Sequence, residues 1–324
     1  MFEMKYSTKP HCTIAVIASF LFAVFFSMVD WEWVHGSFFV DREVYFSIFR
    51  NAPDVEISFS FFQLVAFIVN EQLWSQLIRG LHENIGLSLT TVFGVISFLL
   101  VFSYAYFVSS RVGPLAILLL INPLLVDLAF SQLRMSLAMV FLLIAFNCNR
   151  WLYRLPFLLI GCFIHTASFL FVIMALCVFV SVSLAEKYRL NRFNCYFLLV
   201  FTGFCIALVV GPLRTFILEQ LGDRRIVYDA SATTWTYASV WVAILAVAAL
   251  QLSAFFRNHV NAIALVFLSV YTFCTLFSVY GLRFLAASLP FFVVALCRFG
   301  SFERAFVVLI FAAYTIVQWV YWIR

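Results

Sequence analysis

The chain reads as an all-α, polytopic membrane protein, and three observations say so. Of its 324 residues, 65% are hydrophobic and 11% charged, a balance outside the range of soluble domains. Its mean hydropathy is +1.06. Its apolar runs are long, rich in Phe, Leu and Val, and broken by short charged segments rather than by the roughly ten-residue alternation of an outer-membrane barrel. The spans are therefore helices.

The first span, Cys12 to Met28, stands behind Lys5 and Lys9, lacks a small-residue cleavage site and runs into Asp30-Trp31-Glu32-Trp33. It reads as an uncleaved anchor with the amino terminus in the cytoplasm. Residues 31–84 read as an outer loop. Within it Ile57 to Val69 covers about 20 Å at the helical rise, short of the ~30 Å hydrocarbon core, and reads as an interfacial helix. Ile85 to Val108 is the second span, returning to Arg111.

Pro114 to Asn147 is too long for one crossing, and Pro123, Asp127 and Ser131 interrupt it. Two short antiparallel helices meeting near Asp127 to Gln132 fit, with their apex below the outer surface and Arg134 in a recess open outward. The next run carries His165 in its middle, between basic clusters that both belong on the cytoplasmic side. A hairpin turning near His165-Thr166 satisfies both. Spans over Tyr196 to Leu213, Trp235 to Phe256, Val260 to Tyr280, Arg283 to Cys297 and Ala305 to Trp322 follow. The expected total is about 11 crossings in a single helical domain over residues 1–324, with a second outer loop at 214–234.

Charge placement sets this orientation. Arg150 with Arg154, Lys187-Arg189-Arg192, Arg257, and Arg298 with Arg304 form the basic clusters, whereas Asp30 to Glu56, Glu71, Glu83 and the segment with Glu219, Asp223 and Asp229 are acidic and face outward. The eight cysteines are scattered through apolar runs with no metal-ligand spacing. No Gly-rich phosphate loop or nucleophile elbow appears. The Trp residues at 31, 33, 235, 241, 319 and 322 read as interfacial belts, with Trp31 or Trp235 open to a second reading as a sugar platform.

An arginine inside an apolar helix is expensive and functional by default. Collected on the outer side, Arg134, His165 and Arg283, joined by Arg214, Arg224 and Arg225, predict a cationic cavity. Guanidinium forks chelate phosphate and stay charged when desolvated, so the cavity suits a lipid-linked pyrophosphate sugar. Each residue has a plainer alternative. Arg134 can pair with Asp127, His165 can bond a free carbonyl at a helix break, and Arg283 can snorkel to the interface.

The order Asp41, Tyr45, Glu56, then "QLRMSLAMVFLLIAF", "FLLIGCFIHTASFLFVI" and "YGLRFLAASLP" resembles the EpsG-like and Wzy polysaccharide polymerases over most of the chain. Its centre is an Arg-x-x-x-Ala helix, a His turn some thirty residues on and a late Arg-Phe. Many members have Arg-Gln where this chain has Arg134-Met135. The resemblance implies a metal-independent membrane glycosyltransferase of the GT-C type, without cofactor, in the bacterial inner membrane. Such enzymes join undecaprenyl-pyrophosphate-linked oligosaccharide repeats at the periplasmic face. Partners would be the lipid-linked donor and acceptor, membrane lipid and a chain-length-regulating membrane protein, with no nucleic acid.

That chemistry asks for preoriented cations on the departing pyrophosphate, Arg134 and Arg283 first, and for a general base, His165 with Asp41 or Glu56 as substitutes. Arg134→Ala and Arg283→Ala are expected to abolish lengthening at normal protein abundance. A flippase or transporter of lipid-linked saccharide, and a membrane acyltransferase, stand as alternatives. The first calls for repeat symmetry and the second for an acidic partner to His165, neither of which is visible in the sequence.

Overall fold

The computed structural model describes residues 10–51, 71–214, 216 and 235–323, which form helices with no strand among the described residues. The protein is a multi-pass α-helical membrane protein. Five helices are long and apolar enough to cross a bilayer, six if one bent pair counts as a span. Apolar helices of 10–17 residues accompany them, too short to cross a ~30 Å core straight. The chain gathers into two compact units, Met1–Val172 with Val320–Arg324, and Ile173–Trp319.

In the first unit α1 (Pro10–Met28) leads to α2 (Trp31–His35) and α3 (Val40–Asn51). The Asp30 carboxylate caps α2, accepting from Trp33 N at 3.1 Å, and Gly36 ends it at φ 75°. The expected interfacial helix over 57–69, with Glu56, lies outside the described residues. α4 (Gln72–Arg79) continues into a π-helical turn, Gly80–Asn84. α5 (Leu89–Val112) begins at Leu89 rather than Ile85 because Gly86 turns the chain at φ 76° and Ser88 caps the helix, accepting from Thr91 N at 3.1 Å. α1 packs along α5, where the Ser19 and Ser109 hydroxyls meet at 3.0 Å.

Beyond Gly113 a 3₁₀ segment, Pro114–Leu120, meets α6 (Pro123–Val126) and its π-helical continuation Asp127–Ser131 at a bend of 81°. The expected straight outward leg is thus broken earlier than the hydropathy suggests. Pro123 cannot donate a helical bond, and the Asn122 side chain turns to cap Leu124 N at 2.9 Å. A second break at Gln132, φ −89° and ψ 56°, falls where the apex was expected and starts α7 (Leu133–Asn147). α8 (Trp151–Ile164) packs along α7, and α9 (Ala167–Lys187) starts after a break in which His165 is extended. That break stands where the charge argument puts it.

The second unit holds the rest of α9, α10 (Arg192–Val210), α11 (Trp235–Ala248), α12 (Ser253–Arg257), α13 (His259–Leu276), α14 (Leu282–Cys297) and most of α15 (Ser301–Trp322). α13 is the enclosed centre, packed by α10, α11 and α14. Trp241 has no exposed surface and sits among Phe292 at 4.8 Å, Tyr314 at 5.0 Å and Tyr271 at 6.2 Å. It is a core residue, which corrects its assignment to an interfacial belt; Trp33, 82% exposed, fits one. At one end of this unit Arg257 bonds the Leu190 carbonyl, Arg298 bonds Asn258, and Gln251 accepts from Gly300 N, each at 3.0 Å. The basic loops at 187–192, 257–258 and 298–304 therefore share one face, as short loops on one side of a bilayer must.

α10 and α13 approach closely because Gly203 has no side chain. A Cβ there would meet Ser269 Cβ at 2.5 Å and the Val266 carbonyl at 2.9 Å. Gly203→Ala is expected to lower the unfolding midpoint in detergent, with overpacking costing about 1–3 kcal/mol. Gly94→Ala on α5, where nothing lies within 4 Å, is the control and should be neutral or stabilising.

Candidate functional site

Stretches far apart in the sequence meet around one carboxylate. Glu71, just before α4, is 7% exposed and lies outside the membrane-spanning helices. Its Oε1 accepts from His165 Nδ1 at 2.5 Å, from Thr166 N at 3.0 Å and from the Thr166 hydroxyl at 3.1 Å. Its Oε2 accepts from Arg134 Nη1 in a salt bridge. Arg134 Nε in turn donates to the Tyr45 hydroxyl at 3.4 Å, and the guanidinium carbon stands 5.1 Å from the Tyr45 ring centroid.

Local structure explains how each group is presented. The break at His165 leaves the amides at the start of α9 without helical acceptors, and Thr166 N–H goes to Glu71. The break at Gln132 puts Arg134 in the first turn of α7. Tyr45 is held on α3 against Trp74 at 5.6 Å and Phe93 at 6.3 Å. Ile78, Leu137 and Ile164 complete this apolar floor, which joins α3, α4, α5, α7 and α8. Glu71 itself has φ 54° and ψ 39°, a left-handed conformation that costs a non-glycine residue about 1–2 kcal/mol. Its hydrogen bonds hold it there.

Burial alone would raise the Glu71 carboxyl. The hydrogen bond and charge of His165, the charge of Arg134 and the Thr166 N–H outweigh it and bring the pKa from 4.5 to about 2. Tyr45 moves the other way, raised by burial and by the nearby Asp41 and Glu71 charges against the pull of Arg134, so its hydroxyl stays a neutral acceptor.

A carboxyl depressed in the folded state stabilises it fully above the ordinary value, and that contribution fades as pH falls toward the folded value. The window here runs from 4.5 down to about 2, and the contribution is about 3 kcal/mol. The wild-type unfolding midpoint is therefore expected to fall across this window more steeply than that of Glu71→Gln. Parallel curves would show that the carboxyl is not depressed.

Of the residues singled out by the sequence, Arg134 and His165 are brought together, with Asp41 on α3 near enough for its charge to act on Tyr45. Arg283 is in the second unit, exposed at the start of α14 with its guanidinium 5.9 Å from the Tyr280 ring centroid. Arg214 is half-buried after α10 in that unit. Glu56, Arg224 and Arg225 lie outside the described residues.

The plainer alternatives for Arg134 and His165 give way to one shared partner. The partner of Arg134 is Glu71 rather than Asp127, which instead takes the Trp322 side chain. His165 does have an acidic partner, though one 94 positions away in sequence. The sequence does not single out Glu71 or Thr166, which complete the cluster. An acid between two apolar runs marks an outer loop and signals nothing more.

A neutral imidazole that donates Nδ1–H to Glu71 presents a lone pair at Nε2. No described residue bonds that atom or Arg134 Nη2. Their side chains are 15% and 31% exposed, so the imidazole and the guanidinium each keep part of their surface open while sharing one carboxylate. Among the described residues no three His, Cys, Asp or Glu side chains converge as metal ligands would. Compared with protein-family models, curated proteins and solved structures, the chain finds no match.

Proposed function

We propose that this site transfers glycosyl groups between lipid-linked saccharides, polymerising undecaprenyl-pyrophosphate-linked oligosaccharide repeats at the periplasmic face of a bacterial inner membrane. The observation that carries the reading is the chain His165–Glu71–Arg134, in which one carboxylate holds an imidazole and a guanidinium together. On this reading about eleven crossings form a GT-C-like domain around an outward-facing cavity. His165 turns a helical hairpin at its base.

Each group then has a role. His165 Nε2 takes the proton from the acceptor hydroxyl as that oxygen bonds the donor's anomeric carbon. The anomeric C–O bond breaks and its electron pair leaves on the pyrophosphate. Arg134 Nη2 meets the charge that develops there. Glu71 fixes the imidazole tautomer, and Asp41 or Glu56 can serve as a substitute base. A chain-length-regulating membrane protein is a natural partner.

The Glu71–His165 pair also supports a second reading. A membrane acyltransferase needs a histidine with an acidic partner, and this site has one. A transporter needs neither, and the pair gives it no support.

The test is purified protein in detergent with undecaprenyl-pyrophosphate repeat units and no added metal or nucleotide, resolved by glycan length. A ladder of longer products is the expected result. Unextended glycan that gains acyl groups from an acyl donor would overturn it in favour of acyl transfer. Unextended, unmodified glycan carried across proteoliposomes would overturn it in favour of transport.

A further inference from the structure

Beside the carboxylate site the first unit carries a pocket of ≈ 220 Å³, below the ~300–1,000 Å³ of sites for drug-sized ligands and suited to a single ring. We propose that it binds a neutral sugar ring of the acceptor, an inference that rests on the glycosyl-transfer reading above.

The pocket and the site share packing residues. Phe93 lines the pocket and also packs on Tyr45, and Leu133 lines it next in sequence to Arg134. Its walls join a carboxylate and a guanidinium to apolar surface, with Glu32 and Arg42 paired at 3.3 Å and Trp31, Phe93 and Phe130 around them. Trp31 is 9% exposed and its indole donates to the Phe26 carbonyl at 2.8 Å. It is therefore fixed in the wall rather than part of an interfacial belt.

Charge selects the ligand. The Glu32–Arg42 pair cancels, and Asp30, also in the lining, leaves an excess of negative charge. An anionic headgroup or phosphate is disfavoured in such a pocket, while a polyhydroxyl ring can donate to carboxylates and accept from the guanidinium. The pocket and the His165 base therefore divide the labour. One holds the acceptor ring, and the other takes the proton from its hydroxyl.

The experiment is saturation-transfer NMR on the full chain in detergent. The probes are methyl α-D-glucopyranoside, methyl α-D-galactopyranoside and methyl N-acetylglucosaminide, with pyrophosphate as competitor, and it is run beside the lengthening assay. Wild type is expected to give transfer from at least one glycoside, insensitive to pyrophosphate and lost in Glu32→Gln. In the lengthening assay Glu32→Gln should raise the acceptor KM by about tenfold, the worth of one charge-assisted hydrogen bond, with kcat nearly unchanged.

Thr90→Val, which removes a lining hydroxyl, carries the same test if Glu32→Gln does not fold. Lengthening with an unchanged acceptor KM in both variants would overturn the pocket and leave the polymerase standing. Glycoside binding that Glu32→Gln abolishes, in a protein that does not lengthen glycans, would keep the pocket and overturn the polymerase. Absence of glycoside transfer, or its displacement by pyrophosphate, overturns the pocket outright.

Discussion

Glu71→Ala is expected to remove activity and to destabilise the protein more than any other single change at the site. The substitution leaves Arg134 half-buried beside Tyr45 without its counter-charge, and it strips the acceptor from His165 Nδ1, Thr166 N and the Thr166 hydroxyl together. Removing one partner of a fully buried ion pair costs about 3–5 kcal/mol, and the open side of Arg134 places this change toward the lower end. Activity should fall by about 10²–10⁴-fold, the range of one general base, because the imidazole loses both its tautomer and its aim. Glu71→Gln keeps an acceptor oxygen and should retain more stability than Glu71→Ala while losing comparable activity. Product ladders and unfolding midpoints in detergent read the two effects separately, and a near-wild-type ladder from Glu71→Ala would remove it from the site.

Arg134→Ala should likewise abolish lengthening, but not at normal abundance as the sequence alone suggests. Arg134 is tied to Glu71 and to Tyr45, so its loss strands a buried carboxylate that His165 and Thr166 only partly satisfy. Protein level and unfolding midpoint should drop together, by roughly 2–4 kcal/mol in stability. Arg134→Lys separates the roles. An ammonium can still pair with Glu71 and restore folding, yet it cannot hold Glu71, Tyr45 and a phosphate oxygen at once as a planar fork does. Lengthening should therefore stay at least about 10²-fold down in Arg134→Lys. Full activity from the lysine variant would make Arg134 a structural cation and nothing more.

The difference between what was legible and what was not follows the range of the signal. Arg134 and His165 stand out because each is a local anomaly, a charge in an apolar helix and a titratable residue at a break between basic ends. Tyr45 and Asp41 were reached through the resemblance, and Tyr45 earns its place by packing under Arg134. Glu71 gave no local sign, since its value comes from partners 63 and 94 positions away, and separations of that size leave no periodicity to read.

Helix breaks were partly readable for the same reason. The one at His165 was forced by charge on both flanks. Pro123 reads as an interruption, but the turn is expected further along, near Asp127 to Gln132, and the Asn122 cap before the proline sets the sharper bend. Trp241 was misplaced because hydropathy sees a tryptophan in a span and not the aromatic cluster on α13, α14 and α15 that encloses it.

The account turns on Glu71 being the shared anchor of Arg134 and His165, and the most direct measurement of that is a double-mutant cycle. Unfolding free energies of wild type, Glu71→Gln, Arg134→Met and the double variant are compared in one detergent at neutral pH. The double variant, which buries neither charge alone, is expected to be less destabilised than the sum of the single variants by about 2 kcal/mol, within the range of contacting pairs. Additivity within about 0.5 kcal/mol would mean that the two side chains do not depend on each other, and the site described here would not exist.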